Sequence, residues 1–156
     1  MKKWSVYLLL LAVIPVLSFG GLGGEDVGKL CPVQAVMIRR ENDGLRIITD
    51  GGQSGWGEDV SSAMEDLKKT ASANVFLDTA DYLLLKPGTE VWLKELKHHL
   101  RPSCSVCYAS GALDLVEAAA YLQIHQPSLT LTQYEAGQRD FSTLVYQEGR
   151  MALVRS

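Results

Sequence analysis

The chain holds three cysteines, and two of them form the tetrad Cys104-Ser105-Val106-Cys107. A CxxC pair carries thiol–disulfide chemistry when a helix N-terminus stabilises the attacking thiolate. Here Pro102 precedes the tetrad, and its β-branched and aromatic surroundings (Val106, Tyr108) read as a strand. Side chains alternate faces along a strand, so two cysteines three apart point opposite ways and do not readily pair. The expectation is one thiol in the core and the other on the opposite face. Three outcomes stay open: a structural bond from Cys31 to Cys104, a bond from Cys31 to Cys107, or buried reduced thiols. An extracytoplasmic thiol–disulfide enzyme using Cys104 and Cys107 is the alternative function.

The other reactive side chains give weaker patterns. His98 and His99 are adjacent on a helical stretch, where neighbours point about 100° apart and do not share one ion easily. Gly51, Gly52, Gly55 and Gly57 resemble a phosphate-cradling loop, but the P-loop Lys-Ser/Thr pair is missing, and Glu58 and Asp59 stand where an anion would bind. Ser54 is outside any G-x-S-x-G elbow, because Trp56 occupies the place of the last glycine. Asp78 and Asp81 read as turn residues between two strand segments. No catalytic residue, metal or cofactor is therefore expected. The one candidate contact is the loop residue trio Gly55, Trp56 and Gly57, an aromatic set among glycines where a partner or a membrane surface could touch it.

The elements that position these residues follow a leader. Lys2 and Lys3 form a basic start, Trp4 to Leu17 is apolar apart from Ser5 and Pro15, and Ser18 and Gly20 offer small residues at a cleavage site. That order describes a secretory signal peptide. An uncleaved anchor is the other reading, although a spanning helix needs about 20 apolar residues and this run is shorter. Either way the remainder is exported, and any membrane association runs through an uncleaved leader. Residues 1–20 are thus leader or anchor, 21–32 a glycine-rich linker, and 33–156 one domain. Hydrophobic residues make up 47% of the chain, enough for a packed core, and the formal charge is −3. Loss of the two leader lysines makes the balance more acidic still, which argues against a nucleic-acid binder.

Within the domain, Glu41-Asn42-Asp43-Gly44 separates two apolar runs as a hairpin turn. Val60, Ala63, Met64 and Leu67 recur at helical spacing, with Glu58 and Asp59 at the start and Lys68 and Lys69 at the end. NVFL and YLLLK read as strands, the second covered on both faces. Thr89 is placed to cap a helix over EVWLKELKHHL, and ALDLVEAAAYLQIH reads as another helix, ended by Pro127. STLVYQ-EG-RMALV is a second hairpin. The fold class expected is α+β: a mixed, partly antiparallel sheet with about three helices packed on it.

This order of elements resembles the N-terminal domain of spore germinant receptor C subunits, the Ger(x)C family, over about residues 33–125. EDVSSAMEDLKKTASANVFLDTADYLLLKPGTEVWLKEL is similar to the family's helix, apolar strand and following helix, and SCSVCYASGALDLVEAAA to its next strand and helix. The match is one of pattern, and no functional residue is carried over. Family members have a lipobox cysteine and further domains. Here Gly28, Lys29 and Leu30 precede Cys31, which does not suit lipoprotein processing. The resemblance implies a one-domain, non-lipidated relative with a non-catalytic interaction or scaffolding role at the outer face of a membrane. Its expected partners are other membrane or envelope proteins.

Overall fold

The computed structural model describes residues 30–72 and 74–155. The leader and most of the linker lie outside them, as does the side chain of Cys31. The strands are β1 (Leu30–Pro32), β2 (Ala35–Glu41), β3 (Gly44–Thr49), β4 (Ser54–Gly57), β5 (Asn74–Phe76), β6 (Tyr82–Leu85), β7 (Ser105–Ser110), β8 (Ser142–Gln147) and β9 (Arg150–Arg155). The helices are α1 (Val60–Thr70), α2 (Leu93–Leu96), α3 (Leu115–Ile124) and α4 (Leu131–Glu135), with 3₁₀ turns at Leu77–Thr79 and Glu90–Trp92.

Seven strands make one mixed sheet in the order β4-β3-β2-β6-β7-β8-β9. Its middle, β2-β6-β7-β8, is parallel, and antiparallel hairpins extend it at both ends. The α+β class expected from the sequence is the one observed. β6 shows why a parallel centre forms: all four residues of Tyr-Leu-Leu-Leu are buried, Leu83 and Leu85 toward one face and Leu84 toward the other. A strand apolar on both faces needs cover on both. β1 pairs in parallel with β5 as a separate two-stranded unit, so the last three residues of the expected linker join the fold.

Each face carries its own core. On one, α1 contributes Val60, Ala63, Met64 and Leu67, while α2 adds Leu93 and Leu96, all against Val36, Ile38, Leu45, Ile47, Leu83 and Leu85. Fully buried Leu67 alone contributes on the order of 2 kcal/mol. On the other, α3 lays Leu115, Ala118, Ala119 and Leu122 over Ala35, Met37, Leu84, Cys107, Ala109 and Leu144. Asp59 caps α1 by accepting from the Ser62 amide at 2.7 Å, and the Ser62 hydroxyl closes the reciprocal box. These hydrogen bonds, backbone then side chain, hold the Asp59 carboxyl below its usual range. Asp59 is thus the cap itself and not a first-turn residue.

Three expectations are corrected. Residues 54–57 are the edge strand β4 and not a loop. The reason is steric: a Cβ on Gly55 would strike the backbone of Ala63 and Leu67, and one on Gly57 the backbone of Ala63 and Ser62. The glycines let α1 lie directly against β4. The helix expected over 90–100 is shorter, a 3₁₀ turn running into the four-residue α2. Thr89 does not cap it. With φ −101° and ψ 0° it is not in the extended cap conformation, and its hydroxyl donates to the Lys86 carbonyl at 2.7 Å.

Candidate functional site

The segment after α3 crosses to the α1–α2 side and meets the start of β7 before β8 does. Val106 N–H donates to the Leu129 carbonyl at 2.8 Å and Leu131 N–H to the Cys104 carbonyl at 2.9 Å. Thr130 then caps α4 in a reciprocal box with Gln133. Buried Leu131 fixes that helix against the core, and buried Leu93 and Leu96 fix α2. The outward faces of the two short helices are thereby set side by side.

Between them lies an open cavity of about 300 Å³ lined by Lys94, Lys97, Tyr134, Glu135 and Arg139. A smaller hollow of about 160 Å³ continues it, sharing Lys97 and Glu135 and adding His98, Pro102 and Leu131. Lys97 Nζ donates to Glu135 Oε1 at 2.7 Å. Gly137, at φ +97°, turns the chain so that Arg139 folds back over α4. Arg139 Nη1 donates to the carbonyls of Tyr134 at 2.6 Å and Gln138 at 2.7 Å. Its guanidinium carbon stands 4.1 Å from the centre of the Tyr134 ring. Among the described residues Lys94 makes no ion pair. The groove therefore holds three cations against one carboxylate. One of those cations is immobilised with donors to spare, an arrangement that binds and orients anionic groups.

An aromatic relay supports it from within. Tyr134 meets Phe141 edge-on at 6.0 Å between centroids, and Phe141 meets Tyr108 at 4.8 Å. Burial, with help from the hydrogen bond to Glu90, pushes the Tyr108 hydroxyl up to about 12. Burial by itself would raise the Glu90 carboxyl. Hydrogen bonds from Tyr108 and from the backbone of Glu90 and Gly88 outweigh it and hold the group below its ordinary value.

Apart from His98, the residues singled out in the sequence lie elsewhere. Cys104 is buried in the core under α1 and α2, and Cys107 in the core under α3, neither with measurable exposure. Burial raises each thiol to about 12. Cys31 sits in β1 opposite Val75. Trp56 is 37% exposed at the sheet edge, with its indole N–H donating to the Glu41 carbonyl at 3.3 Å. Beside it, Glu41 binds Arg46 through both oxygens and Arg39 through one, a polar patch on that end of the sheet. Asp81 pairs with Arg101. His98 borders the smaller hollow, and His99, its basicity lowered first by burial, sits beside it. Lys94, Lys97, Tyr134, Glu135 and Arg139 were not foreseen as a set. The signal for two of them, lysines three apart on α2 and at its C-cap, is present in the sequence, but their companions come from a distant segment.

The chain matches no protein-family model, no curated protein and no solved structure.

Proposed function

We propose that the protein is a non-catalytic interaction module acting outside the cytoplasm, at the outer face of a membrane, in the manner of the first domain of a spore germinant receptor C subunit. The observation that supports this most is the α2–α4 groove, whose lysines and Arg139 suit the carboxylates of an acidic protein segment. The leader sequence supports export. The partner is an envelope or membrane protein, and the groove is its contact surface.

The alternative, a thiol–disulfide enzyme using Cys104 and Cys107, needs both sulfurs on one accessible surface. The fold puts them on opposite sides of the sheet under separate cores, and exchange needs an accessible thiolate. To test the proposal, a photoactivatable crosslinker is placed at exposed Glu95, beside the groove, in the full-length chain within native membranes. The same probe goes at exposed Glu117 on α3 as a control. A discrete adduct from the first position only, lost in the Lys94→Glu/Arg139→Glu variant, supports the reading. Equal adducts from both positions, or none, overturn it.

A further inference from the structure

The two edges of the sheet are treated differently. At β4 the helix α1 supplies the missing partners: Asp66 Oδ2 accepts the Trp56 amide at 2.9 Å, and the Thr70 hydroxyl donates to the Ser54 carbonyl at 3.0 Å. At β9 no described residue does the same. The pattern of its free groups follows from the turn before it. Glu148 and Gly149 both have positive φ, 53° and 75°, the signature of a two-residue type I′ hairpin. Gln147 and Arg150 then form the first bonded pair, followed by Val145–Ala152 and Thr143–Val154 in the observed register. Met151, Leu153 and Arg155 are left with their N–H and C=O groups directed away from β8.

Unpaired groups of this kind are a template for one more strand. The side chains say which kind. Val154 is 52% exposed and Ala152 is exposed beside it on one face, while Met151 and Leu153 lean on the α3 core. Arg150 and Arg155 flank this apolar stretch, both exposed, with Glu148 the sole acid of the hairpin. A second copy of the chain would bring another edge of the same net positive charge. A strand with acidic ends would bring the opposite.

We infer that the β9 edge is a second docking surface, which takes an extended partner segment with apolar residues in its centre and acidic residues at its ends. The segment adds an eighth strand, hydrogen-bonded to Met151, Leu153 and Arg155, and covers Val154. This goes beyond the groove reading and stands or falls separately from it.

The test is amide hydrogen exchange on the full-length chain, with a blocked eight-residue peptide of alternating threonine and valine and a glutamate at each end. A matching peptide with lysine ends is the control. The glutamate peptide slows exchange at the Met151, Leu153 and Arg155 amides at least about tenfold when bound near saturation, and the lysine peptide does not. Arg150→Glu/Arg155→Glu, changed only at exposed positions, reverses that preference. No protection, or equal protection by both peptides, overturns the inference. Protection that grows with protein concentration and no peptide also overturns it, in favour of a second copy. Loss of binding at the groove with these results intact would sink the groove reading alone.

Discussion

Arg139 lies over the Tyr134 ring, its guanidinium carbon 4.1 Å from the centroid, while its Nη1 donates to the carbonyl of the same residue at 2.6 Å. One tyrosine thus holds the arginine by ring and by backbone. A leucine keeps the carbonyl and loses the ring. Tyr134→Leu is expected to cost about 1 kcal/mol, from the cation–π contact and the edge-on contact with Phe141. The midpoint of denaturant unfolding measures it, and an unchanged midpoint would show that Arg139 is held by the carbonyls alone.

The buried thiols give a second prediction. In the Cys31→Ser chain, only Cys104 and Cys107 report. Both are buried and raised to about 12, so thiolate is scarce at neutral pH and access requires opening of the fold. Native labelling by a thiol reagent should run at least about 100-fold slower than in denaturant. Rapid labelling of either cysteine in the native state would contradict the burial described.

The contact between β4 and α1 depends on bare backbone. Gly55→Ala places a methyl group against the backbone of Ala63 and Leu67, where no side-chain rotation relieves it. A loss of about 2 kcal/mol or more is expected from overpacking. Trp56→Ala, at an exposed position in the same strand, should cost less. Thermal unfolding of the pair ranks them, and the reverse order would refute the packing argument.

Glu148 adopts φ 53° in the second hairpin turn, a conformation that asparagine tolerates better than glutamate. Glu148→Asn is expected to stabilise the protein by roughly 0.5–1 kcal/mol, since a side chain in the left-handed region carries about 1–2 kcal/mol of strain. A fall in melting temperature would argue against that turn geometry.

The Glu90–Tyr108 pair makes stability depend on pH at both ends. The Glu90 carboxyl is lowered in the folded state, so its contribution is present above its ordinary value of 4.5 and is lost as pH falls through the folded value. Tyr108 is raised from 10.0 to about 12, so its contribution is present below pH 10 and is lost as pH climbs toward 12. Tyr108→Phe should flatten the alkaline limb, and Glu90→Gln the acid limb. Tyrosinate absorbance against pH should show Tyr108 among the last of the tyrosines to ionise, with Tyr82 also raised by burial.

Much of the framework was legible because the local signals agreed with one another. The run Tyr82–Leu85 demands a strand covered twice, and the alternation around Cys104 and Cys107 sends the sulfurs to opposite faces, where the two cores bury them. Both hairpins followed from their turn residues. Gly55 and Gly57 misled, because glycine that permits close helix packing and glycine that loosens a loop look alike in sequence. The groove was hidden for a different reason. Lys94 on α2 and Lys97 at its C-cap sit three apart, but Tyr134 and Arg139 reach them only because residues 129–131 run beside the start of β7, a tertiary arrangement with no local mark.

The central claim, that the α2–α4 groove is a contact surface for acidic segments, is tested most directly by titrating the full-length chain with blocked hexaglutamate and following backbone amide shifts. The largest shifts are predicted at Lys94, Lys97, Tyr134, Gly137 and Arg139, with Lys94→Glu/Arg139→Glu weakening binding at least about tenfold. Shifts scattered over the basic surface without regard to the groove, or a double variant that binds as well as the original chain, would contradict it.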